Sequence, residues 1–198
     1  ADDGEHGREL WSSDGTRGGT AFAVDVEPGA ESFEPFLLVS LGDRFGDRLL
    51  ISGRSPSQGF GIWVTDGTAA GTRMISRRNM DEYAVFQGRV WFASSDDAYR
   101  NFLWVTDGTE AGTVPVLDHG IQPLSYPARL TVLDGHLLFA TWSFLWASDG
   151  TPAGTFPLAA PAGFEVESNM VRAGSRVFFG GFSPETGSEL WAVGEAHP

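Results

Sequence analysis

The stretch Leu10-Trp11-Ser12-Ser13-Asp14-Gly15-Thr16 decides the fold because it recurs along the chain. It returns with small changes at residues 62–68, 103–109 and 145–151, each time followed by a Gly-Thr pair. A fifth, degenerate copy occupies residues 189–194. The tryptophans of successive copies are 52, 41, 42 and 45 residues apart, so the chain is built from repeats.

Each repeat contains short apolar runs separated by turn residues. A glycine and a short apolar run, such as residues 88–93, precede each internal tryptophan. A weaker apolar run, such as residues 36–39, lies ahead of that run, and a further apolar run follows each Gly-Thr pair. One unit therefore predicts four strands, a to d, with the tryptophan on strand c. No stretch keeps a helical period, so we predict an all-β chain.

Four antiparallel strands in a repeat of this length are typical of a β-propeller blade. Blades stacked around an axis bury the sheet faces that one sheet alone leaves open, whereas a β-sandwich gives no reason for one turn to recur. We predict a single propeller domain over residues 1–198. Its repeat units lie near residues 1–41, 42–80, 81–123, 124–160 and 161–198, the first and last being partial blades.

The partial units at the two ends pose the question of ring closure. The chain opens on strands c and d and ends on strands a, b and c, so the strands around Trp11 and Trp191 compete for one place. We expect four blades, closed by a composite blade of N- and C-terminal segments. Five blades, or pairing between chains, are the alternatives, and the surplus edge makes a homo-oligomer through the composite blade possible.

Composition excludes several classes of function. The 198 residues are 41% hydrophobic, enough for one domain with a core, and carry 13 basic residues, all arginine, against 26 acidic ones. A net charge of −13 repels phosphate backbones, so we predict no nucleic-acid partner. The absence of lysine and cysteine excludes Schiff-base and thiol chemistry. No apolar run reaches the roughly 18 residues of a membrane span, so we predict no membrane insertion.

The repeated residues fit structural roles. In each Asp-Gly-Thr the glycine accepts positive φ and the aspartate caps nearby amides, which makes structural turn residues of Asp14, Asp66, Asp107 and Asp149. A calcium site is the alternative, but calcium takes roughly six to eight oxygens and each loop offers one repeated acid, so we predict no cofactor. The strand-c tryptophans are expected in the core: Trp11, Trp63, Trp104, Trp146 and Trp191.

Residues that depart from the repeat are the candidates for ligand binding. Trp142 and Trp91 lie outside the repeated motif, and either can instead be a packing residue. The b–c connections vary most, and variable loops on a repeated scaffold often carry binding sites. These connections supply Arg54, Tyr99 and Arg100, a mixture of side chains suited to binding sugars or polar peptides. The alternative is that the connections form a solvent-exposed rim without a binding role.

Catalytic signatures are missing from the sequence. The four histidines fall at unrelated repeat positions, and neither a Gly-x-Ser-x-Gly elbow nor a glycine-rich phosphate loop occurs. With 26 acidic residues, a pair of carboxylates acting as a glycosidase dyad stays open. Whether the protein is an enzyme is therefore left open, and a binding role is favoured.

The repeated string resembles a known family. Residues 9–16, followed by Gly19-Thr20 and residues 25–29, are similar to the ELWxxDGT repeat proteins of bacteria, and the resemblance covers essentially the whole chain. These are mostly uncharacterised secreted or surface proteins, many from high-GC soil bacteria including myxobacteria. The resemblance implies a propeller fold and a secreted, periplasmic or cell-surface location, but assigns no ligand. The motif glutamate is kept only as Glu9 and Glu189.

These observations favour a non-enzymatic binding module of a secreted or surface bacterial protein, with a glycan or cell-surface polymer as ligand. The first alternative is a protein–protein interaction or assembly module. The second alternative is a carboxylate- or metal-dependent hydrolase.

Overall fold

The computed structural model describes residues 1–42, 46–95, 100–118, 122–142 and 144–194. All regular structure in this part of the chain is β, in antiparallel sheets, as the sequence predicts. The chain divides into two compact units, which are described separately. The first comprises Ala1–Met80 and Thr106–Thr113, and the second comprises Asp81–Val105 and Val114–Pro198.

The first unit holds a hairpin and a four-stranded sheet. The hairpin pairs β1 with β2, and the sheet has the strand order β3-β4-β5-β6. Trp63 lies on β5, the third strand, as predicted for strand c. The sheet starts before the predicted unit boundary at residues 41/42, because β3 pairs with β4. The strands are β1 (Leu10–Ser13), β2 (Thr20–Val24), β3 (Glu34–Ser40), β4 (Leu49–Ser55), β5 (Gly59–Thr65) and β6 (Arg73–Ser76).

The second unit holds three further four-stranded sheets and one two-stranded pair, β11-β12. In two of these sheets the strand order follows the chain, β7-β8-β9-β10 and β13-β14-β15-β16. In the third sheet β17 and β18 both pair with one side of β19, and β20 pairs with the other side of β19. The strands are β7 (Glu82–Phe86), β8 (Arg89–Ser95), β9 (Asn101–Thr106), β10 (Val114–Pro115), β11 (Leu117–Asp118), β12 (Gln122–Pro123), β13 (Ala128–Leu133), β14 (His136–Ala140), β15 (Leu145–Ser148), β16 (Thr155–Pro157), β17 (Glu165–Val166), β18 (Val171–Ala173), β19 (Arg176–Ser183) and β20 (Gly187–Gly194).

Neighbouring sheets of the second unit meet through their first strands. Strand β7 contacts β13, and β13 contacts β18, which shares with β17 the first position in its sheet. The Glu82 carboxylate on β7 accepts a hydrogen bond from the Leu130 amide of β13 at 2.8 Å. Arg172 on β18 donates to the Asp134 carboxylate after β13 at 2.9 Å. The first strands are thus joined in chain order.

The strand-c tryptophans differ in burial from copy to copy. Trp63 and Trp146, on third strands with neighbours on both sides, are 1% and 8% exposed, and Trp104 is half-buried. Trp11 and Trp191 are also only half-buried. Their sheets lack a strand on one side, so the expectation that all five tryptophans are fully in the core is too broad.

The Asp-Gly-Thr loop has the same hydrogen bonds in all four copies. In the second copy Asp66 Oδ1 accepts from the amide and the hydroxyl of Thr68 at 2.9 and 2.7 Å. Gly67 takes a φ of 86°, which favours glycine. These threonine hydrogen bonds hold the pKa of the carboxyls below its usual range at three aspartates, Asp14, Asp66 and Asp149. The aspartates therefore lie in Asx-type turns.

The glycine of the Gly-Thr pair is required by the folded-back aspartate. A Cβ on Gly19 would lie 1.8 Å from Asp14 Oδ1, and the same overlap occurs at Gly71, Gly112 and Gly154. The threonine that follows bonds across the loop: Thr20 Oγ1 lies 2.7 Å from Ser13 Oγ. The two repeated pairs, Asp-Gly and Gly-Thr, thus form one interlocked loop.

Replacing Gly19 with alanine is expected to lower the melting temperature by roughly 2–4 °C, since the new Cβ displaces the Asp14 carboxylate from its turn. Gly18→Ala is the matched control, because a Cβ there meets nothing within 4 Å. Thermal unfolding followed by circular dichroism compares the two variants. Equal melting temperatures would refute this account of the repeated Gly-Thr pair.

The two copies that keep the motif glutamate differ in environment. Glu9 is 2% exposed, and its carboxylate accepts hydrogen bonds from the amides of Val26 at 2.8 Å, Phe33 at 3.0 Å and Glu27 at 3.3 Å. Burial raises the pKa of Glu9 against the opposing effect of these amides. Glu189, on β20, is exposed. Glu9 therefore anchors the segment that follows β2.

The terminal strands are paired on one side only. Strand β2 pairs with β1, and β20 pairs with β19. Among the described residues no hydrogen-bonded sheet joins the two terminal segments. The composite blade stays a prediction.

Candidate functional site

An exposed pair of aromatic rings lies in the second unit. Trp142, in the short connection between β14 and β15, is 75% exposed, and Tyr126, just before β13, is 46% exposed. Their ring centroids are 5.2 Å apart and their planes meet at 52°. We call Trp142 and Tyr126 the aromatic platform. Contiguous exposed apolar patches often mark ligand-binding or interaction sites.

Backbone hydrogen bonds constrain the segments that carry the two rings of the platform. The Tyr126 amide donates to the Asn101 carbonyl at 2.8 Å, and Tyr126 has a φ of 54°, which is rare for a bulky residue. The Thr141 amide donates to the Phe144 carbonyl at 2.8 Å, which tightens the connection that carries Trp142. The platform is therefore presented by a constrained backbone.

Further aromatic and basic groups flank the platform along the chain. Phe102 pairs with Ser125, the residue before Tyr126, in an isolated β-bridge. The Arg100 guanidinium lies 5.5 Å from the centre of the Phe102 ring. Phe144 is 51% exposed and meets Trp146 edge-on at 6.4 Å. These neighbouring segments supply further aromatic rings and hydrogen-bond donors.

The other sequence candidates are placed differently. Trp91 is 3% exposed and packs beside Phe86 at 6.1 Å within the core of the second unit, so no ring face is free for a ligand. Its assignment as a ligand-binding residue is therefore corrected to a core residue. Arg54 belongs to the first unit, where its guanidinium lies 3.6 Å from the Glu34 carboxylate. Tyr99 lies outside the described residues.

Tyr126 and Phe144 were not among the sequence candidates. Both lie near connections that the repeat pattern marks only as loops, and Tyr126 precedes Pro127 in a d-to-a connection rather than a b–c connection. The available signals were an aromatic residue in a loop for Tyr126 and an aromatic residue in place of the motif glutamate for Phe144.

A buried carboxylate bound by two serine hydroxyls lies in the first unit. Glu27 is 6% exposed and accepts hydrogen bonds from the hydroxyls of Ser55 and, at 2.9 Å, Ser57. The Ser55 hydrogen bond lowers the pKa of Glu27. Both serines lie at the turn between β4 and β5, so Glu27 ties the segment after β2 to that turn.

A potential metal site would need several acidic or histidine side chains together. In the part of the chain that the structure describes, no three such side chains form a group that could hold a metal ion. Each aspartate of the four Asp-Gly-Thr loops directs Oδ1 to its own threonine, at distances of 2.7 to 2.9 Å.

The described residues contain no helix long and apolar enough to cross a membrane. Comparison with models of known protein families gave no match, and comparison with curated proteins gave none either.

Proposed function

We propose that the protein is a non-enzymatic carbohydrate-binding module and that the aromatic platform of Trp142 and Tyr126 binds the sugar. The observation that carries the proposal is the 75% exposure of Trp142 beside a second exposed ring at 5.2 Å. An aromatic face buries the apolar C–H face of a pyranose without requiring the sugar hydroxyls to lose their partners. The Tyr126 hydroxyl supplies a polar group at the edge of the platform.

The charge of the chain favours a neutral glycan. With a net charge of −13, the protein repels anionic polymers over its surface as a whole. Arg100 beside Phe102 supplies donors for hydroxyl groups. The proposed ligand is therefore a neutral glycan or cell-surface polymer, and a secreted, periplasmic or surface location is part of the proposal.

The sheets are proposed to be blades of a β-propeller. The repeat period, the four-stranded antiparallel sheets and the contacts of β7 with β13 and of β13 with β18 support this arrangement, since first strands are neighbours around a propeller axis. A composite terminal blade would require a strand on the outer edge of β20. Among the described residues β2 pairs with β1 and no strand pairs with the outer edge of β20, which fits the five-blade alternative as well as pairing between chains.

Trp142→Ala is expected to weaken glycan binding by roughly 30-fold or more, the effect of losing one binding hot spot. Tyr126→Ala is expected to weaken it less. The measurement is calorimetric titration with neutral oligosaccharides selected on a glycan array. Phe60→Ala is the matched control, because Phe60 is a 57% exposed ring in the first unit, outside the platform.

Two results would count against this proposal. The first is the absence of measurable binding by the wild-type protein across a broad glycan panel at millimolar ligand. The second is binding that Trp142→Ala leaves unchanged. Retained binding with Trp142→Ala would reject the platform while keeping a glycan ligand.

A protein–protein assembly role is the second candidate, and the unpaired edge of β20 favours it. No observation on the described residues favours the hydrolase alternative.

A further inference from the structure

The outer edge of β20 lacks the strand that every other copy of the motif has. Four strand-c tryptophans each lie opposite an apolar residue of the following strand, in the pairs Trp11–Phe22, Trp63–Met74, Trp104–Pro115 and Trp146–Pro157. Trp191 on β20 has no such neighbour among the described strands. The four complete copies therefore show what kind of strand covers this edge.

An apolar groove runs beside the uncovered edge. A cavity of about 330 Å³ is lined by residues that include Leu145, Phe164 and Trp191, and a second of about 400 Å³ shares Leu158 and Val193 with it. Leu190, on β20 itself, is 76% exposed. Residues 190–194 carry no charge, although the chain as a whole carries −13. Natural edge strands are usually protected by charges or prolines, and residues 190–194 have neither, Glu189 being the one charged residue of β20.

In the described structure no strand of the chain pairs with this edge. The four strands that follow a motif copy, β2, β6, β10 and β16, are each paired with their own tryptophan strand. A second copy of the chain has the same unpaired edge. Two copies can therefore complete each other through one self-complementary surface.

We propose that β20 is a dimer interface, in which β20 of one copy pairs antiparallel with β20 of a second copy about a two-fold axis. The interface is independent of the aromatic platform, since neither platform residue lies on β20. It gives a definite form to pairing between chains, one of the alternatives for closure.

The tryptophan pattern selects the register of this pairing. Directly opposite residues of an antiparallel pair point to the same face of the sheet. When Ala192 faces Ala192 of the second copy, Trp191 lies opposite Val193 of that copy, which reproduces the pairing of tryptophan with an apolar residue. Leu190 then lies opposite Gly194, which leaves room for its side chain, and Glu189 falls outside the paired stretch.

Opposite charges at position 192 test this register. Ala192 is exposed, so a charged side chain there is tolerated by the single copy. Ala192→Lys and Ala192→Glu each place like charges opposite each other, which is expected to weaken the dimer about tenfold or more. An equal mixture of the two variants is expected to restore it. Ala70→Lys, on an exposed loop of the first unit, is the matched control.

Mass photometry and sedimentation velocity on the full chain give the result. Wild type and Ala70→Lys are expected to form a species of twice the 21.3 kDa monomer, and each variant alone is expected to stay monomeric. A wild type that is monomeric at tens of micromolar would overturn the proposal in favour of closure within one chain. A dimer that survives Ala192→Lys, or variants that do not recombine, would overturn it in favour of another interface.

Discussion

Replacing Glu9 with alanine is expected to lower the free energy of unfolding by about 3 kcal/mol or more. The variant removes the acceptor for three amides, those of Val26, Glu27 and Phe33, which lie 2.8 to 3.3 Å from the Glu9 carboxylate. An amide left buried without an acceptor costs about 1–3 kcal/mol. Because Phe33 packs on Trp63 at 4.9 Å, release of the segment also loosens the core of the first unit.

The second copy of the Glu-Leu-Trp motif provides a matched control for this prediction. Glu189→Ala is the same change in the same Glu-Leu-Trp motif, but Glu189 is exposed, so it is expected to cost less than about 0.5 kcal/mol. Urea unfolding followed by far-ultraviolet circular dichroism measures both variants. A small effect of Glu9→Ala, or equal effects of the two variants, would show that the anchored segment contributes little to stability.

The sheets could be predicted from the sequence because their signals are local. Each repeat carries its own turn residues and apolar runs, so the pattern around Trp63 predicts strand β5 and its neighbours without any knowledge of distant contacts. The same holds for the loop in which Asp66 caps Thr68 only two residues away. The all-β chain of four-stranded antiparallel sheets is confirmed for this reason.

The role of Glu9 could not be predicted in the same way. The sequence shows that the glutamate is kept in the first and last copies, but its partners are 17 to 24 residues later in the chain. Their arrangement depends on how the segment after β2 returns to the motif. A side chain that binds distant amides leaves no periodic signal.

The candidate site was predictable only in part, because exposure is decided by tertiary contacts. Trp91 and Trp142 both depart from the repeat and look equivalent in the sequence. Trp91 lies on β8, the second strand of a complete sheet, and is buried, whereas Trp142 lies in a short connection and is exposed. Tyr126 joins Trp142 through a loop whose contacts no repeat pattern specifies.

Trp63→Ala is expected to have the largest effect of any single change in the first unit, about 3–5 kcal/mol of unfolding free energy. Trp63 is 1% exposed and packs with Phe33, Ile51 and Met74, so alanine leaves a cavity that this unit cannot fill by small movements. Trp11→Ala is the matched comparison in the same unit. Trp11 is half-buried, meets Phe22 edge-on at 5.9 Å and donates to the Ala1 carbonyl at 3.0 Å.

The two tryptophan variants together test whether strand pairing on both sides of the tryptophan strand determines how much the motif tryptophan contributes to stability. Trp11→Ala is expected to cost about 1–2 kcal/mol, because one side of its ring already contacts solvent and less apolar area is lost. The two losses are measured by urea unfolding with the circular dichroism of the backbone as signal, since the substitutions remove fluorophores. If Trp11→Ala costs as much as Trp63→Ala, the hairpin of β1 and β2 is covered in solution by a further strand or chain. A larger loss of unfolding free energy at Trp63 agrees with the structure, in which the strand of Trp63 is paired on both sides and the strand of Trp11 on one side.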